Sequence, residues 1–338
     1  MGMPPIDTTA RRLAEAYLTH VVHARRASPG TVRLYGFWLK RFLTYLGKHR
    51  LGLLPERPAA LGDFLRWLNQ ERRDKARKLA LEGDGKLSSA ALRKAYGVVG
   101  TFYRWAADNG HVEKNPFRFM RPPLLQRKRR AFTTREACDA FLELVPLVQR
   151  PRAAHGPQLA ARDQALFAAV FYAALRLKEA CRLRLEDVEL EAGFIIVRDA
   201  KGGTWRDVPL RPELAGFLKN WLKARRALCL EAGVQSPYVF IGLPGRGRRK
   251  DASPAPIDIH RVAKVLKKLY LPEARRRGLA FPDRFTPHSF RHSGATWFRS
   301  RGMEIDELKD LLGHRSIETT MIYDHVHPEQ IRRAVLRA

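Results

Sequence analysis

The chain has 338 residues, 45% of them hydrophobic, which suffices for a sizeable core and for two domains of about 100 to 200 residues each. Its 63 Lys and Arg against 34 Asp and Glu leave a formal charge of +29, a surplus that solubility does not require and that calls for a polyanionic partner. The longest apolar run, Ala165 to Leu175, is about half of the roughly 20 residues that span a bilayer, so no segment is expected to be transmembrane. Cys138, Cys181 and Cys229 are isolated, which excludes a disulfide framework or a zinc ribbon. The N-terminus has no secretory pattern, and the expected location is cytoplasmic.

From Ala10 to about Gly110 the pattern predicts a small helical bundle. Ser28-Pro29 supplies a cap and a first-turn proline, and Val32, Tyr35, Leu39, Phe42 and Leu46 then recur on one helical face. Further helices fit Arg11 to Arg25, Ala59 to Leu79 and Ser88 to Ala107. These place a helical domain over residues 1–114. Residues 115–130, NPFRFMRPPLLQRKRR, combine prolines with a basic run and predict a linker. Arg127, Lys128, Arg129 and Arg130 are candidate DNA contacts within it.

A second domain, 131–338, begins with helices at Thr134 to Val148 and Ala160 to Leu175, the latter apolar all round and so central to a core. The period then changes. Phe194 to Val197 and Trp205 to Val208 read as two strands of a hairpin with Lys201 at its glycine-containing tip. A helix at Pro212 to Leu230 precedes a basic loop, Gly242 to Pro256. Arg206 on the hairpin and Arg246, Arg248, Arg249 and Lys250 in the loop are further candidate DNA contacts. Helices follow at Asp258 to Leu269, Pro287 to Arg301, Ile305 to Leu312, Ile317 to Tyr323 and, as a C-terminal tail, Pro328 to Ala338. The fold class is mainly α with a small antiparallel sheet.

Breaking a phosphodiester without a metal requires a nucleophile, cations that clamp the non-bridging oxygens and a proton donor for the leaving oxygen. Arginine suits the clamp, since its planar fork pairs two oxygens and stays charged. In Thr286-Pro287-His288-Ser289-Phe290-Arg291-His292 the Thr-Pro pair starts a helix, so His288 and Arg291 project on one face of its first turns. Leu311-Leu312-Gly313-His314 closes a helix with a C′ glycine that aims His314 out of the turn, and Tyr323 follows nine residues later.

This segment resembles the C-terminal signature of the tyrosine recombinase (phage integrase) family: HxxR, then LGH, then a tyrosine in a TTxxYxHV context. Upstream, Ala174 to Ala180 is similar to the family's first arginine box, and Ala200 to Leu210 to its lysine hairpin, so four boxes stand in the family's order. The resemblance is strong over about Arg130 to Val326 and looser over the N-terminal helices, where it implies a core-binding domain. It implies a metal- and ATP-independent site-specific recombinase, without cofactor. Tyr323 would attack the scissile phosphate and Arg176 and Arg291 would stabilise the phosphorane. His288 would assist removal of the phenol proton, His314 would hydrogen-bond a phosphate oxygen, Lys201 would protonate the leaving 5′ oxygen, and Glu179 would brace the site.

The implied partners are duplex DNA with specific sites and, on it, a homotetramer joined by the tail; the two domains would close on DNA as a clamp. A helical pattern that starts near Ala10 leaves no room ahead of it for an arm-binding domain. Two departures stand out: Ala174 where glycine often precedes Leu-Arg, and Thr204 in place of a second hairpin lysine. The rival readings are a type IB topoisomerase-like enzyme, a catalytically silent DNA-binding regulator and a metal-dependent nuclease, and His288 and His292 at i and i+4 form a candidate zinc pair. Lys178, His325 and His327 are lesser candidates.

Overall fold

The computed structural model describes residues 8–53, 59–78, 87–118, 120–125, 131–148, 155–198, 205–242 and 255–324. The chain divides into two compact units, 1–128 and 129–338, so the division falls inside the Pro-rich basic stretch.

Among the described residues the first unit holds four helices: α1 (Thr8–His23), α2 (Pro29–Lys48), α3 (Ala59–Lys78) and α4 (Ser89–Asp108). Two of their starts are written in the sequence. The Ser28 hydroxyl accepts from the Thr31 amide at 3.3 Å and the Ser88 hydroxyl from the Ala91 amide at 3.2 Å, each satisfying one orphan donor of a first turn. The apolar faces close on an aromatic core of Tyr17, Phe42, Phe64, Phe102 and Tyr103. The Tyr17 hydroxyl sits 2.9 Å from Thr101 Oγ1, which meets its polar requirement inside that core.

The second unit is built on α6 (Gly156–Tyr172), buried along nearly its whole length as its apolar sequence requires. Around it lie α5 (Arg135–Leu144), a short α7 (Leu177–Arg182), α8 (Pro212–Ala232), α9 (Ile259–Val265), α10 (Leu271–Arg276), α11 (Pro287–Ser300) and α12 (Ile305–Leu312). The sheet is an antiparallel meander of β1 (Val188–Glu189), β2 (Phe194–Arg198) and β3 (Trp205–Pro209), with Ile195 opposite Val208 and Val197 opposite Arg206. Among the buried charges of this unit are Arg162 and its neighbour Asp163. Arg162 donates to Asp163 Oδ1 through Nε (2.9 Å) and Nη2 (2.8 Å) and to the Ile241 carbonyl (3.1 Å), while the Tyr270 hydroxyl donates to Asp163 Oδ2 (3.1 Å).

The structure corrects several element boundaries. The expected helix Ile317 to Tyr323 is instead two 3₁₀ turns, Ile317–Thr319 and Met321–Tyr323, because Thr320 is drawn fully into the interior between them. The helix expected to end at Leu269 runs on to Arg276 through a π turn at Leu266–Tyr270, which absorbs the amide that Pro272 lacks. The hairpin gains a third strand, β1, and a short helix, α7, stands over Leu177–Arg182, where the sequence pattern delimits no separate helix. The tail from Pro328 lies outside the described residues.

One glycine sets how α11 packs on α6. A Cβ built at Gly294 would lie 2.1 Å from the Phe171 carbonyl oxygen, so main chain meets main chain at that crossing and only glycine fits. On the same helix the Arg291 side chain points inward.

Candidate active site

Three arginines from three elements converge on the last carbonyls of α12. Arg206 Nε, from β3, donates to the Leu311 carbonyl at 2.9 Å. Arg291 Nη2, from α11, donates to that of Leu312 at 2.7 Å, and Arg176 Nη2, from the start of α7, to that of Gly313 at 2.9 Å. A helix C-terminus leaves such carbonyls without intrahelical donors and carries partial negative charge, so it gathers cations. Gly313 itself is left-handed (φ 60°), the C′ conformation the Leu-Gly-His pattern predicts, and it turns His314 back toward the arginines.

One carboxylate serves all three guanidiniums. Glu179 Oε1 accepts from Arg176 Nη1 at 2.6 Å, and Oε2 accepts from Arg206 Nη2 at 2.9 Å and from the Arg176 amide at 2.8 Å. Arg291 Nη1 stands 3.7 Å from Oε2. Burial pushes the Glu179 carboxyl up, but the bonds from Arg206 and Arg176 outweigh it and hold the group below its ordinary value. Three positive charges against one negative leave the cluster with a surplus of two.

The arginines differ in exposure. The Arg176 side chain is 42% exposed and that of Arg291 only 1%. Burial, with Arg176 and Arg206 nearby, pulls the Arg291 guanidinium down to about 10, still cationic at neutral pH. Arg291 Nη1 also donates to the Ala174 carbonyl. Ala174 has φ +46°, a left-handed backbone that costs a non-glycine residue roughly 1–2 kcal/mol. This is the position where the sequence departs from glycine, and it makes the sharp turn that delivers Arg176 from α6 into the site.

His314 bridges the cluster to the tyrosine segment. Its Nε2 lies 3.3 Å from Arg291 Nη2, which can only donate, so Nε2 accepts and the ring proton sits on Nδ1, 2.9 Å from Thr320 Oγ1. Tyr323 is 5% exposed and packs with Ala174, Ala295, Leu308 and Leu312, its ring edge-on to that of His292 at 4.8 Å. It is near enough to Arg291 to influence that group's charge. The next residue, Asp324, is fixed to α11 by Arg299 Nη2 at 2.9 Å.

Arg176, Glu179, Arg291, His314 and Tyr323 thus come together from distant stretches of chain. His288 is exposed on the first turn of α11. Lys201, Arg127, Lys128, Arg129, Arg130, Arg246, Arg248, Arg249, Lys250, His325 and His327 lie outside the described residues. Arg206 requires a correction: expected at DNA, its side chain is only 15% exposed and is taken up by Glu179 and Leu311. Its inward position was readable from strand alternation, since it shares a face of β3 with core residue Val208 while Trp205 and Asp207 face out. Thr320 and the Arg299–Asp324 pair were not anticipated. His292, weighed as half of a zinc pair, packs its ring between those of Phe132 and Tyr323. Among the described residues no group of three or more His, Cys, Asp or Glu side chains is placed to hold a metal ion, and no helix is long and apolar enough to cross a membrane.

Residues 143–330 match the Phage integrase family. The tyrosine recombinase XerA of Thermococcus onnurineus is 30% identical over 92% of this chain and 90% of its own length. Tyrosine recombinase XerC of Rhodospirillum centenum is 30% identical over 91% of this chain and 81% of its own. Among solved structures, the Tn1549 transposon integrase in complex with transposon right end DNA superposes with a TM-score of 0.69 at 18% identity, covering 96% of this chain and 98% of that one. XerH site-specific recombinase bound to difH substrate gives 0.66 at 21% identity, over 96% and 84%. At such identities the likeness is one of fold. The chain belongs to the phage integrase family and is a site-specific tyrosine recombinase, a DNA breaking and rejoining enzyme.

Proposed function

We propose that Tyr323 is the nucleophile of a metal-independent strand exchange on duplex DNA, with Arg176 and Arg291 as the phosphate clamp. The observation that carries this reading is the convergence of both arginines, His314 and Tyr323 around a site with a positive surplus of two. A phosphorane carries two negative charges, so the surplus is matched to the transition state rather than to the singly charged diester.

The phenolic oxygen of Tyr323 forms a bond to phosphorus as the bond from phosphorus to the 5′ oxygen breaks. An unassisted phenol, with a free pKa of about 10, is a poor nucleophile at neutral pH, and His288 takes its proton. Lys201 supplies a proton to the departing 5′ oxygen, and once Arg291 turns to the DNA the His314 ring proton moves to Nε2, which donates to a phosphate oxygen while the Thr320 hydroxyl donates to Nδ1. Attack by a 5′ hydroxyl of another strand reverses these steps and reseals the backbone. The phosphotyrosine preserves the bond energy, so no nucleotide is consumed.

The first unit serves as a core-binding domain, the basic stretch 115–130 crosses the DNA backbone, and four copies assemble on two specific sites in the cytoplasm. The charge of +29 and the family support this arrangement. The decisive test is trapping on a nicked suicide duplex in EDTA. The wild-type chain forms a covalent adduct and Tyr323→Phe forms none; an undiminished adduct from Tyr323→Phe overturns the proposal. Exchange between two marked plasmid sites separates recombination from simple relaxation. A truncation at Glu329 that leaves tetramer assembly intact removes the tail from the model of assembly.

A further inference from the structure

Arg206 occupies a place that neither strand structure nor DNA contact explains. Its guanidinium reaches across from β3 to two other elements, with Nε on the Leu311 carbonyl (2.9 Å) and Nη2 on Glu179 Oε2 (2.9 Å). A Cβ at Gly313 would lie 2.7 Å from Nη1, so the guanidinium is pressed against the turn that presents His314. Arg176 and Arg291 hold the two carbonyls that follow, of Gly313 and Leu312.

We infer that Arg206 is a positioning residue of the recombinase site, which fixes the Glu179 carboxylate and the Leu311–His314 turn so that Arg176, Arg291 and His314 stand ready for the phosphate, and which does not itself touch DNA. The inference rests on the proposed roles of those residues and extends them. Glu179 has two oxygens and three guanidiniums within reach. Arg206 donates to both oxygens, through Nη2 to Oε2 at 2.9 Å and through Nη1 to Oε1 at 3.4 Å, and thereby limits how strongly the carboxylate competes with phosphate for Arg176 and Arg291. Without Arg206, Glu179 draws those two arginines onto itself, and the Leu311 carbonyl loses the donor that steadies the end of α12. Both changes misplace clamp groups while their charge remains, and a displacement of about 1 Å in such groups costs up to about a hundredfold in rate.

Single-turnover cleavage of a nicked suicide duplex at saturating DNA tests this, beside DNA affinity measured over a range of salt. Arg206→Ala should lower the cleavage rate by about tenfold to a hundredfold while affinity and its salt dependence stay at wild-type values. Arg206→Lys keeps the charge but cannot reach both acceptors, and should recover only part of the rate. Arg206→Ala combined with Glu179→Gln should lose less than the product of the two single losses, because the two residues share the carboxylate route while the Leu311 route belongs to Arg206 alone.

Wild-type cleavage by Arg206→Ala overturns the inference, as does a salt slope shallower by about 0.9, the mark of one lost phosphate contact. Multiplicative losses in the double variant also overturn it. If Arg206→Ala does not fold, Arg206→Lys decides: reduced cleavage at unchanged affinity supports the role, and the wild-type rate removes it. Tyr323→Phe run in parallel isolates the underlying reading, since an adduct in that variant defeats the chemistry and not merely the part given to Arg206.

Discussion

Two of the places where the second unit buries charge are built on opposite plans. Arg162 and Asp163 pair one cation with one anion, and the Ile241 carbonyl and Tyr270 hydroxyl take up further hydrogen-bonding capacity. The Glu179 cluster sets three guanidiniums against a single carboxylate and leaves Arg176 partly open to solvent. The first arrangement is neutral and closed on itself, as a buried ion pair must be to offset its desolvation. The second is stable only because helix-end carbonyls absorb part of its surplus, and what remains is available to an incoming anion. An excess of like charge held together by backbone is the physical sign of a site, whereas a balanced pair signals architecture.

Substitutions can break this contrast. The largest effect should come from Arg291→Lys, which keeps a charge but loses the fork: cleavage at saturating DNA should fall by about a hundredfold to a thousandfold. At the other cluster Arg162→Met should leave the rate per folded molecule untouched and lower stability by about 3–5 kcal/mol in urea unfolding, because Asp163 is left buried and uncompensated. Replacing Asp163 by Leu as well should restore most of that loss. If the Arg162 variant instead slows cleavage at saturating DNA, the division between the two clusters fails.

Glu179→Gln sharpens the comparison through pH. The Glu179 carboxyl is held below its ordinary value, so its contribution to stability is present above that value and is lost as pH falls through the lower folded one. The wild-type chain should therefore exceed the variant by about 1.5–3 kcal/mol at neutral pH, and the gap in melting temperature should close under acid. A gap that persists in acid would mean that Glu179 acts by shape alone.

The smallest effect belongs to Ala174→Gly. Relief of the left-handed backbone, roughly 1–2 kcal/mol, should exceed the added unfolded-state entropy of about 0.4–1 kcal/mol, for a net gain near 0.5–1 kcal/mol in unfolding experiments. A loss of stability would show that the methyl group's packing in the Tyr323 cluster outweighs the strain.

What could be read from the sequence follows from how local its causes are. The Ser28 cap, the Leu-Gly-His turn and the Thr-Pro start of α11 each need only a few consecutive residues, and each matches an observed feature, whereas the HxxR pair divides, with Arg291 buried and His288 exposed. Helix α7 escaped notice because it has six residues and begins at Arg176 rather than at a Ser or Asp cap. The Tyr323 segment showed helical spacing, but Thr320 bonds His314 and breaks that helix into two turns. Arg206 was assigned to DNA on its charge, although its partners, Glu179 and Leu311, lie 27 and 105 residues away. Contacts of such separation are decided by tertiary structure.

The missing side chain at Gly294 has one more consequence. Because α11 rests there directly on the Phe171 carbonyl, the register of Arg291 is inherited from the rigid interior and not from any surface loop. Changes in loops and outer helices can thus accumulate without moving the Arg291 guanidinium, whose place is set by main chain against main chain.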